Sequence, residues 1–72
     1  MNTTTSAPVA LSELDLLLLD RLSYGYSDLQ IGEEIQLSTE TVRAEVRRVV
    51  RSLGARNRTH AVAIALQTGL IQ

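Results

Sequence analysis

The sequence has no cysteine, no lysine and a single histidine, His60. Without cysteine there is no disulfide and no thiolate metal site, and one histidine cannot build a metal site alone. No cofactor is implied. Disulfides and metals are the usual supports of so small a domain. A chain of 72 residues buries only about 60 % of its unfolded surface. Self-association is the support that remains. The lack of cysteine also suits a reducing cytoplasm. Long apolar runs are missing too. The richest stretch, "LDLLLLDRL", is too short and too charged to span a bilayer. The opening "MNTTTSAPVA" lacks the basic start and apolar core of a secretory signal. A cytoplasmic protein with no membrane partner is expected. There is no Gly-rich phosphate loop, no His/Cys pair and no carboxylate pair in an apolar setting. The chain is therefore not expected to be an enzyme.

What is present is charge, unevenly placed. The chain carries seven basic and eight acidic residues, a formal net charge of −1. Residues 1–42 hold Arg21 against seven acids, whereas residues 43–58 hold six arginines against Glu45 alone. The first segment is net −6 and the second net +5. Such separation along a chain says more about partners than the total does.

Cap signals divide the chain into four helices with no strand pattern. Residues 1–10 are polar and read as a flexible tail. Ser12, with Asp15 three residues on, forms a capping box, and Gly25 a stop, for a first helix over about 13–24. Ser27 and Gln30 make a second box, opening a short helix over about 28–35 with Leu29, Ile31 and Ile35 as its apolar residues. The three residues "QLS" leave room only for a tight turn. Ser38 then caps a third helix that Gly54 ends. Asn57 caps a fourth, which runs toward Gly69 through "AVAIAL" without a charge. A helix apolar on every side is expected to be buried, here against the domain and a second chain. The three-residue connection between the second and third helices is the spacing of a helix-turn-helix.

The third helix has a clear phase. Val42, Val46, Val49, Val50 and Leu53 form one stripe. Opposite it, on an arc from about 140° to 240° at 100° per residue, lie Arg47, Arg51, Ala44 and Arg48, with Arg43 at the edge. Such a face suits the DNA major groove. Arginine donates two parallel hydrogen bonds to guanine, and a small residue permits close approach and can touch a thymine methyl. The helix N-terminus, with Ser38, Thr39 and Thr41, offers donors to a phosphate.

The run "GYSDLQIGEEIQLSTETVRAEVRRVVRSLGARNRTHAVAIALQTGLI" closely resembles the LuxR-type (GerE, or NarL/FixJ output) helix-turn-helix domain. The matching elements are Gly25–Ser27, Ile31, "LSTETV" at Leu37–Val42 and "LGARNRTHAV" from Leu53, and the likeness covers residues 11–71. It implies an all-α, four-helix domain over 11–72, binding double-stranded DNA with its third helix. It implies base reading by Arg43, Ala44 and Arg47. It places Thr39, Thr41, Arg48 and Arg51 near phosphates, and Arg58 near the start of the last helix. It implies a homodimer formed through the fourth helix, which agrees with the uncharged segment there. Ala61, Val62, Ala65 and Leu66 are the candidate interface residues, with Ala61 and Ala65 small enough to let two helices approach.

Several positions depart from that pattern. Glu45 stands where the family usually has His. Glu45 is spaced to pair with Arg48, and Glu40 with Arg43; alternatively either can accept from a cytosine amine. Ser52 stands where lysine is frequent, and with no lysine at all, non-specific phosphate attraction is expected to be weaker. Leu14, Leu17 and Leu29 replace charged residues. They are expected either to repack the core locally or to form an apolar patch for a protein partner. The family domain usually ends a longer regulator, whereas this chain reads as stand-alone. Two functions follow: a dimeric, sequence-specific transcriptional regulator, or an interaction module on the same fold that binds another regulator.

Overall fold

A computed structural model describes residues 11–72; the expected tail over residues 1–10 lies outside the described residues. Four helices follow in order: α1 (Glu13–Ser23), α2 (Asp28–Ile35), α3 (Thr39–Ser52) and α4 (Arg58–Gln67). Each starts where a short polar side chain can satisfy an open N–H group. Ser12 and Ser27 form reciprocal capping boxes with Asp15 and Gln30. Ser38 accepts from the Thr41 N–H, and Asn57 from the His60 N–H.

The helix ends are equally local. Gly25 (φ 86°) and Gly54 (φ 68°) occupy left-handed backbone just beyond α1 and α3, a conformation open to glycine at little cost. Between α2 and α3 no glycine serves. Gln36 takes the left-handed position instead (φ 62°), and its N–H and that of Leu37 both bond the carbonyl of Gly32. Gly32 is there for closeness rather than for its dihedral angles. A Cβ at that position would strike the carbonyl oxygen of Leu37 and lie 3.5 Å from Val42. The turn of the helix-turn-helix is thus folded flat against α2.

One core joins the helices. Leu18 and Leu19 of α1, Ile31 of α2, Val42, Val46 and Val49 of α3, Ala61 and Ala65 of α4, and Ile71 are buried together. α2 packs on α3, and α4 packs on both α1 and α3. The valine stripe expected of α3 faces this core, with Val50 and Leu53 partly buried beside it.

Two expectations need correcting. Ala61 and Ala65 are fully buried in their own domain, so they are not an outward dimer face. Their small side chains let α4 approach α1 within the same chain. Of the four residues proposed for an interface, Val62 is half-buried and Leu66 is exposed. The central segment AVAIAL of the helix is apolar all round, so its sequence carries no phase to tell inside from outside. The three leucines also separate. Leu14 packs against the core, Leu17 is half-buried outside it, and Leu29 alone is exposed, at 57 %. They do not form a common exposed patch.

Candidate nucleic-acid interface

The exposed side of α3 is built on its buried side. With Val42, Val46 and Val49 fixed in the core, helical periodicity turns Arg43, Ala44, Arg47 and Arg51 outward, and all four are exposed. Arg48 is half-buried on the flank. The six arginines then fall into two groups.

Three of them are tied to acids. Arg48 reaches across to α1, where it bonds the carboxylate of Asp15, and also bonds Glu45, one turn back on α3. Asp15 is the one buried charged side chain among the described residues, at 1 % exposure. Burial pushes its carboxyl up, but the Arg48 hydrogen bond and charge, with two bonds to Ser12, outweigh this and hold it below the usual carboxylate range. Arg58, at the start of α4, donates to both oxygens of Asp28 in α2, at 2.8 and 3.2 Å. Arg43 approaches the same carboxylate, Nε to Oδ2, at 3.5 Å, and has Glu40 at 3.9 Å. Hydrogen bonding from Arg58 is the main reason that the Asp28 carboxyl stays below its ordinary value.

Among the described residues, Arg47, Arg51 and Arg56 enter no ion pair. They converge with Arg58 on a groove of about 280 Å³ between α3 and the start of α4, floored by Val46 and Val50. Periodicity of α3 does not reach Arg56, which lies beyond the helix. Its place beside the valine side of α3 depends on how the loop after Gly54 folds back, which periodicity does not report.

At the N-terminus of α3 the Ser38 hydroxyl is committed. It accepts from the Thr41 N–H at 3.1 Å and donates to the Thr41 hydroxyl at 2.9 Å. Thr41 keeps its own hydroxyl proton for an outside acceptor. The N–H groups of Thr39 and Glu40 lie outside the helix's own bonding. Ser38 is accordingly a cap that orients Thr41, while Thr39 and Thr41 bear the available donors.

A further link, missed from the sequence, ties α1 to α2. Arg21 donates three hydrogen bonds to Glu34, at 2.6 to 3.1 Å, and one to Asp20 at 2.6 Å. The acids of α1 and α2 are thus spent in part on arginines. Asp15 and Asp28 hold the flanks of α3, and the face between them remains cationic.

No helix among the described residues is long and apolar enough to cross a membrane. Residues 9–65 match the GerE family, described as bacterial regulatory proteins of the luxR family. Curated relatives are about a third identical to the chain over the aligned residues. An uncharacterized transcriptional regulatory protein of Bacillus subtilis, YxjL, is 33 % identical over 58 residues, 81 % of this chain and 27 % of its own length. The glycerol metabolism activator of Pseudomonas putida is 36 % identical over 56 residues, 78 % of this chain and 25 % of its own. The nitrate/nitrite response regulator protein NarP of Escherichia coli is 35 % identical over 57 residues, 79 % of this chain and 26 % of its own. The chain spans about a quarter of the length of these relatives.

Proposed function

The chain belongs to the luxR family of bacterial regulatory proteins, and on that premise we propose that it is a sequence-specific, dimeric regulator of transcription that reads the major groove with α3. Arg43, Ala44 and Arg47 read base edges. Arginine suits guanine and the small Ala44 a thymine methyl. Arg51 meets phosphate, aided by Thr39 and Thr41 and by the open N–H groups at the start of α3. Arg48 and Arg58 also lie toward the backbone, but each shares its charge with an internal carboxylate and adds less. The observation that carries this reading is the exposed pair Arg47 and Arg51, one helical turn apart and, among the described residues, without an acid partner. In a chain of net charge −1, uncompensated cations on one helix face call for a polyanion.

Dimerisation is assigned to the outer side of α4, at Val62 and Leu66, rather than to Ala61 and Ala65. The domain is small and Leu66 is 48 % exposed. The protein-docking alternative has the fourth helix, or Leu14, Leu17 and Leu29, as its surface; of those leucines Leu14 packs inward, Leu17 is half-buried and only Leu29 is exposed, and one exposed leucine is ordinary on a surface. DNA binding is therefore the preferred reading.

Selection of bound duplexes from a random library tests the proposal. It should return an inverted repeat with a preferred sequence in each half. Binding should weaken with salt by about 0.9 log unit per log salt for each phosphate neutralised. Failure to detect any salt-dependent duplex binding near micromolar protein would overturn it.

A further inference from the structure

We propose that Asp28 is a positioning residue for sequence readout, holding Arg43 by its Nε edge so that the guanidinium meets DNA in one orientation. The proposal rests on the reading of Arg43 as a base-contacting residue.

Asp28 is the first residue of α2, yet it takes no part in that helix's capping box, which Ser27 and Gln30 complete. Its side chain is only 11 % exposed, and its oxygens serve two other helices. Arg58 engages both of them, Nη1 to Oδ1 at 2.8 Å and Nη2 to Oδ2 at 3.2 Å. That two-pronged grip fixes the plane of the carboxylate. It also keeps the group ionised at neutral pH. The fixed Oδ2 then lies 3.5 Å from Nε of Arg43. An arginine has five donors in a rigid fork, and guanine accepts from two of them. With the Nε side turned to Asp28, the terminal nitrogens face away from it; Nη1 has the 88 % exposed Glu40 carboxylate at 3.9 Å, a loose surface contact that a base can displace. Arg47, on the same face, has no acid partner among the described residues. It provides an internal control.

Asp28 lies 15 positions before Arg43 and 30 before Arg58 in the sequence. The three meet because α2 packs on α3 and α4 packs on α3. Replacing the carboxylate by its amide removes one negative charge beside the DNA face and loosens Arg43 at the same time. General affinity for duplex DNA should therefore hold or rise, while discrimination falls.

The experiment compares the whole chain with Arg43→Ala, Asp28→Asn and the double variant. Each is titrated with the selected duplex, with duplexes changed at every base pair in turn, and with random-sequence duplex. Arg43→Ala should lose the preference at one base pair per half-site, on the order of 5- to 150-fold. Asp28→Asn should lose most of that same preference, keep the preference dependent on Arg47, and bind random duplex at least as tightly as the parent. In the Arg43→Ala background, Asp28→Asn should change the preference no further. If Arg43→Ala loses the preference and Asp28→Asn keeps it, the role of Asp28 alone is overturned. If Arg43→Ala keeps it, the base-reading role of Arg43 fails and that of Asp28 with it. An equal loss at all base pairs would mark Asp28 as merely structural and also overturn the proposal. Should Asp28→Asn not fold, the parent protein decides by nuclear magnetic resonance. The Nε–H of Arg43 should exchange with water more slowly than that of Arg47, and equal exchange overturns the proposal.

Discussion

At the scale of the residue, the arginines differ by what already holds them. Arg47 and Arg51 are exposed and unpaired among the described residues, so their effects should fall on DNA binding alone. Arg47→Ala should flatten the preference at one base pair. Arg51→Ala should weaken all duplexes about equally and lower the salt slope by about 1. Competition titrations at two salt concentrations separate the two outcomes. Arg48 is different because its partner, Asp15, is buried. Arg48→Met should cost about 1–3 kcal/mol at neutral pH, since a buried carboxylate loses its cation. The pH dependence follows from the direction of the shift. In the parent the folded pKa of Asp15 is lowered, so its contribution is present above the unfolded value of about 3.9 and fades as pH falls through the folded value. In the variant burial is no longer outweighed by Arg48. The deficit should then be largest at neutral pH and shrink as the pH falls toward the lowered folded value of the parent, below which the carboxyl is protonated in both proteins. Urea unfolding at pH 7 and pH 3 measures it. Asp15 could be anticipated as a cap for Ser12, three residues away. Its hold on Arg48, 33 residues away, could not.

The element on which the interface depends is the turn between α2 and α3. Its two special positions, Gly32 and Gln36, respond in opposite directions. Gly32→Ala adds a methyl group that meets the backbone oxygen of Leu37. Helix propensity favours alanine by about 1 kcal/mol, but a clash with fixed backbone costs more, about 1–3 kcal/mol. The net loss is up to about 2 kcal/mol, a drop in Tm of up to roughly 16 °C. Gln36 sits at φ 62°, where a side chain costs about 1–2 kcal/mol and glycine costs little. Gln36→Gly should raise stability by about 1 kcal/mol. Thermal melts followed by circular dichroism test both. The turn's length was legible from "QLS", but its closeness was not, because contact between Gly32 and Leu37 follows from how sharply the chain reverses.

At the scale of the whole molecule, the question is how a small domain gains a second contact surface. The outer side of α4 offers Val62, half-buried, and Leu66, exposed. Under the proposed dimerisation through α4, Leu66→Glu should leave the helix content unchanged by circular dichroism, yet give monomer in sedimentation equilibrium where the parent gives dimer. Operator affinity should fall with it, because two half-sites are then bound separately. Ala61→Leu makes the opposite test. Ala61 is fully buried, so added bulk should lower stability by about 1–3 kcal/mol whatever the state of association. If Ala61→Leu left stability unaltered and abolished only the dimer, the assignment of inner and outer sides would be wrong.

Features that depend on neighbours within a turn or two of helix are legible in the chain's residues alone. Ser12, Ser27, Ser38 and Asn57 start the helices because each hydroxyl or amide reaches an N–H group three residues away. The valine stripe fixed the inner side of α3, and with it the outward Arg47 and Arg51. Tertiary structure decided the rest. It chose which side of the uncharged, uniformly apolar middle of α4 faces the core, for a segment without a polar face carries no phase. It also chose which arginines are held, since the carboxylates that hold Arg48 and Arg58 stand 33 and 30 residues away. Electrostatic pairing depends on distance in space, and only the packing of α1 and α2 against the rest brings those charges together.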